Sequence, residues 1–159
     1  MNRKLISHGM KVLLGLLMIV SLFFAFFLLP ILAEDMAKEW AEIEYAVKVL
    51  LPMSQGMMVV FVLGLVIIIY LLRLFDLNRA YDLNFTKGLT VLAGLCLLAV
   101  VGLVMAFVYL SKLGGPGPGP SLVLLGLILV ILIVMAVILL VKYIILDAMK
   151  YKEEVDLTV

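Results

Sequence analysis

The side chains that carry most protein chemistry are nearly absent from this sequence. There is one histidine, His8, near the polar start of the chain, and one cysteine, Cys96, inside an apolar run. A disulfide within the chain, a thiolate metal site, bis-histidine haem ligation and Ser/His or Cys/His dyads all require more than that. The glycines at 114–119 alternate with proline, which has no N–H to offer a phosphate, so no phosphate-cradling loop is present. A net charge of +1 without a basic run argues against direct nucleic-acid binding. The expectation is a non-enzymatic chain with no catalytic residues, metal or cofactor.

The polar residues that remain are grouped. Segment 33–48, AEDMAKEWAEIEYAVK, holds five acids and two lysines. Met36, Trp40, Ile43 and Val47 fall at i, i+4, i+7 and i+11, and Glu34–Lys38 and Glu44–Lys48 stand four apart, which predicts an amphipathic helix. It is either a solvated cap or an acidic lid that attracts a cationic amphiphile. Just beyond it, Leu51-Pro52-Met53-Ser54-Gln55-Gly56-Met57-Met58 places Gln55, the most polar side chain of any apolar run, beside adaptable methionines. Gln55, Ser54, Met57 and Trp40 are therefore candidates for an outer pocket, with interhelical packing as the alternative. If segment 33–48 and this run are one helix, Pro52 should kink it.

A third group is the most regular. Arg73, Asp76, Arg79 and Asp82 recur every three residues with alternating sign. On a helix continuing from the preceding run they form a ladder, and with Phe85 and Thr86 they are a candidate docking ridge for a cytoplasmic protein. The alternative is a solvated extension with weak salt bridges. Asn84, Phe85 and Thr86 are expected to end that helix, and Thr86 to cap the next. The closing Asp-Leu-Thr-Val has the form of a ligand for a PDZ-type groove.

What must position these groups is set by composition. Of 159 residues 67% are hydrophobic and 14% charged, against about a quarter charged in soluble domains. Four stretches, 12–32, 49–72, 89–110 and 122–141, contain no Asp, Glu, Lys or Arg. Each is long enough to cross a hydrocarbon core of about 30 Å as a helix. The fold class expected is all-α: an integral membrane protein, one domain over 1–159, with four transmembrane helices in an antiparallel bundle and an amphipathic outer segment between the first two. The first stretch also has the look of a signal peptide, with Arg3, Lys4 and Lys11 before it and Ile31-Leu32-Ala33 after. Its apolar core exceeds the ~7–15 residues usual for signals, so a retained helix is expected.

Nine of the twelve Lys and Arg lie in 1–11, 73–88 and 142–159, and three in 33–48 and 111–121. The positive-inside rule then places the first set, with both termini, in the cytoplasm, and makes 33–48 and 111–121 outer loops of a multi-pass cell-membrane protein. Gly102-xxx-Ala106 is a small-xxx-small pair for close packing, within the bundle or across a homo-oligomer. Loop 111–121, SKLGGPGPGPS, reads as a short stiff connector, with Ser121 as a candidate N-cap.

The whole chain resembles the YoaS-like family of small four-span bacterial membrane proteins of unknown function. The likeness is carried by Leu29-Pro30-Ile31-Leu32-Ala33, the Pro52 re-entry, Arg79-Ala80-Tyr81-Asp82-Leu83-Asn84-Phe85-Thr86 and the closing Glu154-Val155-Asp156-Leu157-Thr158-Val159. It departs after Thr86, where Lys87-Gly88 stands in place of the acid and Asn of a capping box. The resemblance implies a cytoplasmic helix-turn-helix regulator as partner, because such regulators are often encoded beside family members. Three functions follow in order: a sensory or regulatory membrane subunit in contact with the lipid bilayer and that regulator; an immunity or resistance protein against a membrane-active peptide; and a small transporter or channel. The last is weakest, because no ionisable residue lies in any span.

Overall fold

Inside hydrocarbon no water is available to backbone N–H and C=O groups, so an apolar chain of this kind must satisfy them along helices. The computed structural model describes residues 3–39, 44–77, 82–115 and 117–157, and among them every long segment is helical. Helix α1 (Arg3–Phe23) runs through a π-helical turn (Phe24–Leu28) into α2 (Leu29–Glu39). Helices α3 (Glu44–Asp76), α4 (Leu83–Lys112) and α5 (Pro118–Leu157) follow. Four segments, Ser7–Asp35, Glu44–Asp76, Leu83–Lys112 and Pro118–Val155, are long and apolar enough to cross a membrane.

The π turn has a local cause. Pro30 has no N–H and its ring crowds the carbonyl four residues back, so a plain α-helix cannot pass through it undisturbed. The extra residue is taken up just before it, where the Leu29 N–H donates to Phe24 O, five residues back. Phe23 and Phe27 stack across this turn with ring centroids 5.3 Å apart. Ala25, only 1% exposed, faces inward.

The helices run antiparallel, with the start of α1, the end of α3, the start of α4 and the end of α5 at one end of the molecule (the terminal end). The end of α2, the start of α3, the end of α4 and the start of α5 lie at the other, distal end. Helices α1 and α2 pack on α3, α3 on α4, and α4 on α5, and no other pair of helices comes close among the described residues. The four antiparallel helices expected are present, and among the described residues they pack as a row that is open between α2 and α5. At the terminal end Leu71, Leu74, Phe85, Leu89 and Leu92 form a buried cluster, against which Ile67, Ile68, Ile138 and Ile145 pack.

The α3–α4 seam has a heptad register. A Cβ on Gly88 would lie 2.6 Å from Leu71 Cδ2, one on Gly102 would collide with Met57 Sδ, and Gly64 faces Leu92. Met57, Gly64 and Leu71 are seven apart, and Gly88 and Gly102 are two heptads apart in the opposing helix. A repeat of 3.5 residues is that of left-handed antiparallel packing, with each glycine accepting a knob from α3. Gly102 of the small-xxx-small pair thus serves the fold of one chain.

Several local expectations change. Segment 33–48 is not one amphipathic helix. Residues up to Glu39 prolong α2 and those from Glu44 belong to α3, which runs on through Pro52. Trp40 and Ile43 lie outside the described residues. The Arg73–Asp82 ladder is not one helix either. Helix α3 ends at Asp76, Arg79 lies outside the described residues, and Asp82 has extended backbone (φ −99°, ψ 148°) as the residue before α4. Asn84, Phe85 and Thr86 do not break a helix but open α4, where Phe85 and Thr86 N–H groups and the Thr86 hydroxyl donate to Asp82 O. Helix α4 ends on Gly114 and Gly115, both at positive φ, with the Gly115 N–H donating to Leu110 O, a glycine stop that caps exposed carbonyls. Ser121 is no N-cap. Helix α5 already starts at Pro118, and both Ser121 donors reach Gly117 O.

Gly88→Ala should lower stability by about 1–3 kcal/mol, because the new methyl meets a Leu71 side chain that the cluster holds in place. Unfolding in detergent micelles measures this. In a Leu71→Ala background the same substitution should cost almost nothing; an equal cost in both backgrounds would show that Leu71 is not the obstacle.

Candidate functional site

The open row leaves a concave side. Its floor is α3 and α4, and its walls are Leu29, Leu32 and Ala33 of α2 on one side and Leu124, Leu127, Val130, Ile131, Val134 and Ile138 of α5 on the other. The groove holds about 950 Å³, at the upper end of the range for small-molecule sites. Met53, Ser54, Met57, Met58, Cys96, Ala99 and Gly102 line its length. Ser54 contributes no free donor, since its hydroxyl bonds Leu51 O at 2.8 Å. The surface is thus uniformly apolar, with flexible methionines where shape must adapt.

Above the groove at the distal end is a second hollow of about 500 Å³ with a different chemistry. It is lined by Glu34, Lys38, Glu44 and Lys48 together with Ala33, Ala37, Val47 and Leu51. Ala33, Val47 and Leu51 belong to both spaces, so the charged collar and the apolar groove are continuous. Within the collar Lys48 donates to Glu44 Oε1 at 2.8 Å, the helical pair the spacing predicts. Lys38 lies 3.9 Å from Asp35 instead of pairing with Glu34. Glu34 has no ion pair or hydrogen bond among the described residues.

The terminal end carries a second polar cluster that the three-residue ladder does not foretell. Asp76 Oδ2 accepts from both Ser7 Oγ and Lys11 Nζ, each at 2.5 Å. The Lys11 and Asp76 side chains are 32% and 27% exposed, and Ser7 is buried. The first helix is thereby clasped to the last turn of α3. The available signal was Ser7 and Lys11 four apart, on one face at the mouth of the first span.

Of the candidate pocket residues, Ser54 and Met57 line the groove, and Gln55 does not. Gln55 is half-buried and makes no side-chain hydrogen bond among the described residues. Of the candidate ridge, Arg73 is exposed, Asp76 turns to the clasp, and Phe85 and Thr86 sit in the core at 9% and 5% exposure. The groove wall on α5, the collar lysines and Ser7 were not singled out as site residues in the sequence. The Tyr109 hydroxyl is shielded and has no hydrogen-bond partner among the described residues.

Residues 31–159 match the family described as a protein of unknown function (DUF2975). The chain belongs to that family. An uncharacterised family is what the sequence resemblance implies, and the match covers α3, α4, α5, most of α2 and thus both distal spaces. No curated protein and no solved structure matches this DUF2975 member.

Two charged contacts differ in expected weight. Asp76→Asn should destabilise by about 1–2 kcal/mol, since it leaves a half-buried Lys11 without its counter-charge. Glu44→Gln should leave the unfolding temperature essentially unchanged, because that pair is fully solvated. Thermal unfolding in micelles compares them; equal effects would remove the clasp from the forces that hold the first helix.

Proposed function

We propose that this DUF2975 member is a non-enzymatic sensory or regulatory membrane subunit. An amphiphile is read in the distal groove, and a cytoplasmic protein is held at the terminal end. The observation that carries this reading is that the same two helices serve both ends: α3 and α4 floor the groove and also build the terminal cluster. Helix α3 in addition ends on the Asp76 clasp. The charge asymmetry of the loops supports a cytoplasmic terminal end in the cell membrane. Helix α5, 40 residues long, extends about 24 Å past its last apolar-span residue at 1.5 Å per residue. That arm exposes Tyr143, Ile144, Tyr151 and Val155 alongside Lys142, Lys150 and Lys152, the amphipathic mixture a protein partner can use.

The partner proposed is the small helix-turn-helix regulator implied by the YoaS-like resemblance. A tagged regulator co-expressed with the chain should sediment with membranes, and Arg73→Glu combined with Tyr151→Ala should weaken that retention at least about tenfold. A regulator that is cytosolic with and without the chain would overturn the assignment. One observation, the unpaired Glu34 carboxylate on the collar, favours a second reading: interception of a cationic membrane-active peptide. Deleting the gene should then raise sensitivity to such peptides, and unchanged sensitivity removes that reading.

A further inference from the structure

The collar and groove together specify more than an amphiphile in general. In a bilayer the chain of a lipid gains little from the hydrophobic effect on entering an apolar groove, because it leaves surroundings just as apolar. The groove therefore supplies shape and dispersion contacts, and selectivity must come from the collar. Among the described residues, the four charged ones that line the collar are two carboxylates and two ammonium groups. Glu44 and Lys48 are paired with each other at 2.8 Å. What remains is one acid without a partner among the described residues, Glu34, and one lysine held only at 3.9 Å from Asp35, Lys38. An anionic headgroup would meet Glu34 and gain one cation; a cationic segment would meet Lys38 and gain one anion. A headgroup that carries both charges satisfies both.

We propose that the groove and collar form a binding site for one zwitterionic phospholipid with a primary ammonium. One acyl chain lies along Met57, Ala99 and Gly102, the phosphate faces Lys38, and the ammonium faces Glu34. The site depends on the groove being the distal input described above, but lipid capture and regulator retention are measured separately, so either can fail alone. The continuity of the two spaces through Ala33, Val47 and Leu51 places the headgroup at the mouth of the chain-binding groove.

The test uses the full chain in nanodiscs of equal phosphatidylethanolamine and phosphatidylglycerol, each in turn carrying a diazirine on one acyl chain. Photo-adducts are mapped by mass spectrometry, and co-purifying lipid is counted. The expected result is adduct on Met57 and its groove neighbours from the ethanolamine lipid in preference to the glycerol lipid. Glu34→Gln should reduce that preference about tenfold, the effect of losing one charge-assisted contact. This substitution is on an exposed rim and leaves the packing intact. Ala99→Phe, which fills the groove, should abolish groove adducts from both lipids; its fold is checked by unfolding in micelles. The proposal is overturned by equal labelling of groove residues and lipid-facing Ile133, or by the same lipid ratio in Glu34→Gln and the unaltered chain. It is overturned too if a cationic amphipathic peptide displaces the groove adducts that excess phosphatidylethanolamine does not, which would give the site to a peptide.

Discussion

How near two helix backbones can come is the quantity on which this structure turns. Within hydrocarbon the helices themselves are obligatory, but nothing apolar drives one against another, because lipid tails are as apolar as leucine. Association then rests on close contact, and the α3–α4 pair achieves it by placing glycine opposite Leu71 and Met57 two heptads apart. That seam makes α3 and α4 a stiff central pair, and α2 and α5 are additions on either side of it. The groove exists because those additions do not meet each other. A closed bundle would have had no such space.

Charge is managed by position. The charge-free stretches of the spans hold no Asp, Glu, Lys, Arg or His, so each charged contact with structural weight lies at an end. Serine hydroxyls inside the spans bond the preceding turn, as Ser21 does to Leu17 O at 2.7 Å, and offer nothing to a ligand. The two ends differ in kind. At the terminal end Asp76 collects two donors in a partly shielded setting, which fixes the first helix to α3. At the distal end the charges are exposed: Glu44 and Lys48 pair at 2.8 Å, whereas Lys38 stands 3.9 Å from Asp35.

The sequence was most informative where a single local rule decides. Four charge-free stretches give four spans, because a charge costs several kcal/mol at mid-bilayer and its absence is a strong signal. The Glu44–Lys48 pair follows from helical spacing alone. Legibility fails where two helices meet. The stripe Met36, Trp40, Ile43 and Val47 is regular in sequence, yet Met36 and Val47 belong to different helices. The Arg73–Asp82 ladder is likewise divided, because Asp76 finds Ser7 and Lys11 across a gap of more than sixty residues that no periodicity records. The heptad of Met57, Gly64 and Leu71 was present to be read, but only its meeting with Gly88 and Gly102 gives it meaning. The π turn is intermediate: Pro30 marks where the helical ladder must yield, but no periodicity says that a π turn rather than a kink takes it up.

This division of labour bears on how occupancy at one end can be felt at the other. A seam pinned at two glycines about 21 Å apart, at 1.5 Å per residue, resists sliding or splaying of α3 against α4. On the function proposed above, a molecule that fills the groove would act by shifting the walls, α2 or α5. On the α2 side such a shift meets the π turn and, farther along, the clasp at Asp76, which holds the first helix at its other end. On the α5 side it meets only α4 and the contacts of Ile138 and Ile145 with the terminal cluster. Helix α5, which packs extensively on α4, is the wall whose continuation forms the long terminal arm. If the groove is the input proposed above, a wedge in it would be felt in the tilt of that arm, with no charge moving through the membrane. Coupling of this kind requires the ligand to favour one tilt over another, and the gap between α2 and α5 is where that difference in affinity would arise.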